Sequence, residues 1–149
     1  MRISDLCTRN VVHIDAKWSL RDAAELMRKR HVGSLVVIDK PDGERIPVGI
    51  VTDRDIVLTV IAPGIDPDGL TVGDVMTRQL ACCSESDELF DAIATMRQHG
   101  VRRLPVLNDK GGVVGMVSAD DIYGALAAHL EQLSQALTRE QVREMEMRT

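Results

Sequence analysis

The chain states one pattern twice. Residues 5–39 lie over residues 74–108 without a gap, and Asp5/Asp74, Thr8/Thr77, Arg9/Arg78, Leu20/Leu89, Asp22/Asp91, Ala23/Ala92, Met27/Met96, Val32/Val101, Leu35/Leu104 and Val37/Val106 coincide. After a hairpin that is longer in the first copy, Gly49-Ile-Val-Thr-Asp-Arg-Asp-Ile56 falls on Gly115-Met-Val-Ser-Ala-Asp-Asp-Ile122. Such a repeat constrains architecture more than any local motif, because a unit this small buries too little surface alone. It predicts two repeats sharing a core, and two related sites rather than one active centre. The boundaries that follow are 1–62 for the first repeat, 63–70 for a linker dense in helix breakers, 71–128 for the second repeat, and 129–149 for a C-terminal helix and tail.

Within each copy the hydrophobic period changes in the same order. Leu20, Ala23, Ala24 and Met27 fall at helical spacing, as do Leu89, Ala92, Ile93 and Met96, so each set predicts an amphipathic helix with one buried face. Two apolar runs then flank turn chemistry, Lys40-Pro-Asp-Gly43 in one copy and Asp109-Lys-Gly-Gly112 in the other. A second helix is predicted to start at Asp53 and at Ala119. With short runs near Val11-Val12 and Leu80-Ala81, each copy reads β-α-β-β-α. The predicted class is α/β (α+β), two such repeats with pseudo-two-fold symmetry, plus a C-terminal amphipathic helix. Pro105 lacks an N–H, which predicts an edge strand or a bulge at that point. Beyond Ile122 no breaker interrupts the chain, and Leu126, Leu130, Leu133 and Leu137 form a stripe. That stripe packs either on its own domain or on a second subunit, and the polar end from Arg139 is expected to fray.

Composition excludes several functions. At 44% hydrophobic with 2% aromatic residues, the core is aliphatic, and no base-stacking platform is available. A net charge of −5 opposes binding to a nucleic-acid backbone. Cys7, Cys82 and Cys83 make neither a disulfide framework nor a zinc spacing, and His13, His31, His99 and His129 share no metal spacing. No nucleophile–base pair, P-loop or strand–GxGxxG unit is present, so no catalytic residue is nominated and no enzyme is expected. The start lacks an apolar signal segment and no run reaches membrane-spanning length, which predicts a cytoplasmic protein without membrane contact.

The segments Thr52-Asp-Arg-Asp55 and Ser118-Ala-Asp-Asp121 stand where an apolar strand gives way to a helix. Free N–H groups there suit a phosphate, a Thr or Ser hydroxyl can donate to it, and an Asp one turn on can accept from the vicinal diol of a ribose. The same spacing is also that of a capping box, in which the two side chains merely satisfy backbone donors. The spacing is compatible with both.

Together with Val101-Arg-Arg-Leu-Pro-Val106 and the helix–strand–hairpin–helix order, these endings resemble the cystathionine-β-synthase (CBS) domain, whose repeats pair into Bateman modules. The resemblance runs from about Ser4 to Ala128 and is similar to stand-alone bacterial CBS pairs, a group that includes hypoxic-response proteins. It implies a non-catalytic regulatory module binding an adenine nucleotide or related ligand (AMP, ADP, ATP, NAD, S-adenosylmethionine) between the repeats. By that resemblance Asp55 and Asp121 hold ribose, and Thr52 and Ser118 meet phosphate, joined by Arg102, Arg103 and His99. Arg54 is either a phosphate ligand or a solvated helix residue. Val12, Val36, Ala81 and Pro105 enclose the base. The two sites differ, since Gly33 and Ser34 stand where the second repeat has Arg102 and Arg103, so unequal occupancy is expected. The resemblance further implies a homodimer and leaves room for an unidentified protein target. The rival is a structural interaction module whose motifs are helix caps only.

Overall fold

The computed structural model describes residues 1–39, 43–78 and 80–148. In the first repeat the elements are α1 (Ile3–Leu6), β1 (His13–Asp15), α2 (Leu20–Arg30), β2 (Ser34–Asp39), β3 (Ile46–Thr52) and α3 (Asp53–Ile56), continued by a π-helical turn, Val57–Ile61. After a 3-10 turn at Pro67–Gly69 come α4 (Val72–Val75), β4 (Cys83–Ser84), α5 (Leu89–His99), β5 (Arg103–Leu107), β6 (Val113–Ser118) and α6 (Ala119–Arg148). Of the turn expected at Lys40-Pro-Asp-Gly43, only Gly43 lies within the described residues.

The equivalent helices α2 and α5 start at capping boxes, Ser19 with Asp22 and Glu88 with Asp91. They bury Leu20, Ala23 and Met27 in one case and Leu89, Ala92 and Met96 in the other. Ala24, expected on the buried face, is exposed; Leu26 packs at the margin instead, which rotates the apolar stripe slightly. Both helices end on a left-handed residue. In α5 it is Gly100 at φ 64, whereas in α2 it is His31 at φ 56, a conformation that disfavours any side chain with a Cβ.

Each repeat forms a three-stranded sheet with its second strand central, in the orders β1-β2-β3 and β4-β5-β6, the first pair parallel and the second antiparallel. Pro105 therefore lies in a central strand, not an edge strand. The cost of its missing N–H is visible by comparison with the first repeat. There Val36, the counterpart of Pro105, donates its N–H to the Val12 carbonyl at 3.2 Å. Proline cannot, and β4 begins only at Cys83, so its partner strand is shortened instead. The register shift at Val106/Leu107 is not the proline's doing, because the first repeat shifts equally at Val37/Ile38.

Instead of one shared core, the described residues form two apolar clusters that exchange segments. Val72 and Met76 from the second repeat's start are buried in the cluster built on Leu35, Val37 and Val51. Ile3 from the first repeat's start is buried with Leu104, Val106 and Val117. The arms also extend the sheets, Thr77 bridging Ile50 and Thr8 bridging Met116. This crossing explains two glycines. A Cβ on Gly49 would stand 2.6 Å from Met76 Sδ and 2.9 Å from the Thr77 carbonyl; on Gly115 it would stand 2.9 Å from Cys7 Sγ. Neither repeat is complete without the other's arm.

The last helix, α6, is 30 residues long. Ile122 is buried and Leu126 packs against the second cluster, but every residue from 127 to 148 is exposed. The segment beyond Arg139, expected to fray, continues as helix through Arg148.

Candidate functional site

The two Thr/Ser-x-x-Asp motifs lie where β3 and β6 end and their helices begin. The Asp55 N–H donates to Thr52 Oγ1 at 3.1 Å, and the Thr52 N–H donates to Asp55 Oδ2 at 2.9 Å. Ser118 and Asp121 repeat the exchange, with both bonds at 3.1 Å. Both motifs are thus complete capping boxes, and so are Ser19/Asp22 and Thr71/Asp74 elsewhere. Burial distinguishes them: Asp55 and Asp121 are half-buried, whereas Asp22 and Asp74 are exposed. In each motif the cap engages Oδ2 and leaves Oδ1 outside it.

A groove between the repeats meets these motifs. One part, about 470 Å³, is lined by Ser34, Ile50, Thr52, Arg103, Met116 and Ser118 among others. In the repeat register these six are three equivalent pairs, Ser34/Arg103, Ile50/Met116 and Thr52/Ser118. The groove therefore lies along the pseudo-two-fold axis, and Arg103 Nη1 crosses it to donate to Ser34 Oγ at 3.5 Å. A second part, about 320 Å³, shares Ser34, Arg103, Met116 and Ser118, and adds Asp121, Val12 and His31. Here a half-buried carboxylate, a hydroxyl, a guanidinium and an aliphatic wall from Val11 and Val12 converge. That set can accept from a diol, donate to an anion and cover the face of a flat ring.

The other nominated residues are placed as follows. Arg102 lines the larger part of the groove, where it pairs with Asp120 at 3.3 Å, both side chains being largely exposed. Asp55 and Arg54 line neither part. His99 is exposed, its Nδ1 3.0 Å from the Thr95 carbonyl at the end of α5. Val36, Pro105 and Ala81 are buried and line neither part, Val36 being 1% exposed. The second repeat's motif thus faces a furnished pocket, while the first contributes Thr52 alone.

Among the groove residues that the sequence reasoning did not nominate, His31, Ser34 and Val11 bear most on the site. A signal for His31 existed, since it replaces Gly100 of the other copy at a position whose backbone prefers glycine. It is the one non-glycine residue with positive φ among the described residues. Strain of this kind persists where the surroundings or the function require the side chain. Among the described residues no group of His, Cys, Asp and Glu is arranged to hold a metal ion, and no helix is long and apolar enough to cross a membrane.

Comparison with known proteins follows the same lines. The CBS domain profile matches residues 3–61 and 72–128. An uncharacterized protein of Methanopyrus kandleri is 31% identical over 80% of this chain, which spans only 60% of that protein's length. Hypoxic response protein 1 of Mycobacterium tuberculosis is 30% identical over 84% of this chain and 85% of its own. The crystal structure of Hypoxic Response Protein I with two coordinated zinc ions superposes with a TM-score of 0.72 at 28% identity, covering 84% of this chain and 98% of that one. The CBS domain pair of protein MJ0100, in complex with 5-methylthioadenosine and S-adenosyl-L-methionine, shares the fold with a TM-score of 0.73 at 22% identity, covering 87% and 98%. With both repeats matched and the exchanged arms in place, the chain belongs to the CBS domain family as a tandem pair.

Proposed function

We propose that this CBS pair is a non-catalytic regulatory module that binds an adenosine-containing ligand, of the AMP, ADP, ATP or NAD type, in the groove between its repeats. The observation that carries the reading is the convergence of Asp121, Ser118, Arg103 and Val12 on one cavity. In this reading Asp121 Oδ1 accepts from the ribose diol while Oδ2 keeps the cap. Ser118 and Arg103 meet phosphate, and Val11 and Val12 cover the base. His31 and Ser34 add donors from the first repeat. The MJ0100 pair supports it at the level of fold, as the same architecture there accommodates adenosine ligands. The cleft beside Asp121 is the principal site, because Asp55 lines neither part of the groove.

The module works as a cytoplasmic homodimer signalling to a protein target. Self-association is supported by exposed apolar residues, Val57, Leu58 and Ile61 after α3, and Tyr123 and the leucines of α6. A thermal-shift panel on dialysed protein tests the ligand reading. A ligand at a hundredfold excess over its dissociation constant stabilises by about 2.7 kcal/mol, which for this size raises the midpoint by roughly 5–10 °C. Adenosine nucleotides are expected to do so and UMP is not.

A purely structural role is the second reading. It is favoured by the complete capping boxes at both motifs and their recurrence at Thr71/Asp74. No response to any nucleotide would support it.

A further inference from the structure

A cavity larger than either part of the groove lies on the first repeat alone. It is a cleft of about 990 Å³ running between α2 and β1, the outer strand of its sheet. Trp18, Leu26, Arg30 and Asp15 line it and line neither part of the groove. Asn10, Val11, Val12 and Val32 line both the cleft and the narrower part of the groove, so this segment is their common wall.

The repeat supplies an internal control. Trp18, Leu26 and Arg30 of the first copy are Asp87, Thr95 and His99 in the second. The same fold carries an aspartate at the place of Trp18, so the indole is not required to build it. Trp18 is 53% exposed and is the chain's only tryptophan. A large ring left in water beside a cleft is the residue type that anchors interfaces.

The two ends of the cleft carry opposite charge. Because β1 and β2 are parallel, α2 between them runs back along β1 and sets Arg30 and Trp18 at opposite ends. Arg30 is exposed and makes no ion pair among the described residues. At the other end the Trp18 N–H donates to the Asp15 carbonyl at 3.2 Å. Asp15 Oδ1 accepts the Lys17 N–H at 2.8 Å, and Oδ2 lies outside that bond. An indole beside a carboxylate suits an ammonium or guanidinium group, and a guanidinium suits a carboxylate. Val12, Ile14 and Ile38 make the stretch between the ends aliphatic. The eleven residues of α2 rise about 16 Å, which an extended chain spans in about five residues. A free amino acid is too short to reach both ends, and the Asp15 end repels a polyphosphate.

We propose that the cleft between β1 and α2 docks an extended peptide segment of a protein target, with a basic residue against Trp18 and Asp15 and an acidic residue about five positions away on Arg30. This gives the protein target proposed above a surface, and it stands whether or not the groove holds a nucleotide.

Calorimetric titration of the full-length, dialysed protein tests it, with Trp18 fluorescence as the local report. The probes are two blocked synthetic peptides of alternating valine and threonine, one with lysine and glutamate about five residues apart, the other with lysine at both places. The mixed peptide is expected to bind and to shift Trp18 emission, and the two-lysine peptide to bind about tenfold more weakly. Arg30→Glu should invert that preference, and Asp15→Asn, which keeps an acceptor for the Lys17 N–H, should weaken the mixed peptide several-fold. Should Arg30→Glu melt early, Arg30→Gln serves as the second variant and should abolish the preference. AMP affinity is expected to stay unchanged in these variants, and an absence of AMP binding would sink the nucleotide reading while leaving the peptide result standing. No binding of the mixed peptide, equal binding of both peptides, or a preference indifferent to Arg30 would overturn the proposal. So would displacement of the mixed peptide by AMP without any change at Trp18, which would put the peptide in the groove instead.

Discussion

Replacing Asp121 separates a helix cap from a ribose ligand, because its two oxygens have different employment. Oδ2 accepts from the Ser118 N–H at 3.1 Å, and Oδ1 lies outside the cap. Asp121→Asn keeps one oxygen for the cap but removes the charge and one of the two acceptors. The stability cost should be at the low end of the 0.5–2 kcal/mol of a lost cap, about 0.5 kcal/mol, or a shift of roughly 1–2 °C in the midpoint. If the carboxylate holds a diol, the same change removes charge-assisted bonds worth about 1.5–3 kcal/mol, a weakening of roughly 10- to 150-fold. Ser118→Ala removes the hydroxyl that accepts from the Asp121 N–H and with it the proposed phosphate donor, while sparing the carboxylate, so it should lower both stability and affinity. Calorimetric titration with an adenosine nucleotide, run beside thermal melts of each variant, reads both effects. Undiminished affinity in folded Asp121→Asn would refute the ribose assignment and leave this residue a cap.

Three further outcomes follow from particular environments. His31→Gly relieves a left-handed backbone cost of about 1–2 kcal/mol against a glycine entropy penalty of about 0.5–1 kcal/mol. It should raise the melting midpoint slightly while weakening nucleotide binding, and a variant both less stable and fully binding would contradict the role given to this residue. The Cys83 thiol is pushed up to about 12 by burial, with a smaller contribution from the Asp87 carboxylate; peptide mapping should find it unmodified by iodoacetamide near about pH 8 until the protein unfolds, and native labelling would show that the second cluster opens. The Asp74 carboxyl is held below its usual range by hydrogen bonds from Thr71, so its stabilising contribution is present above the ordinary carboxylate pKa and lost as pH falls through the lowered folded value. The midpoint gap between wild type and Asp74→Asn should therefore hold steady above about pH 5 and shrink as pH falls below about 4, and a constant gap would exclude that linkage.

Much of the fold was legible because the chain repeats itself. Two independent copies of one hydrophobic pattern marked the helix starts at Asp53 and Ala119 and the strand pair in each repeat. The exchange of α1 and α4 was not legible, since four-residue helices carry no period and only spatial proximity shows which cluster receives Ile3 or Val72. Pro105 misled for a related reason. Its consequence falls on the neighbouring strand, where β4 is cut short, rather than on its own place in the sheet. At the candidate site, motif spacing named Ser118 and Asp121 but could not tell cap from ligand, because the residues realise the capping box in either case. The groove's symmetry was present in the register as Ser34/Arg103 and Ile50/Met116, though nothing in the spacing said that these pairs face each other. His31 was visible only as a departure from Gly100.

The most direct measurement is a crystal structure of the dialysed protein grown with an excess of AMP. The account predicts purine density against Val11 and Val12, ribose hydroxyls within hydrogen-bond distance of Asp121 Oδ1, and phosphate near Ser118 and Arg103. Density for the nucleotide away from this groove, or an open groove left empty at saturating ligand, would contradict it.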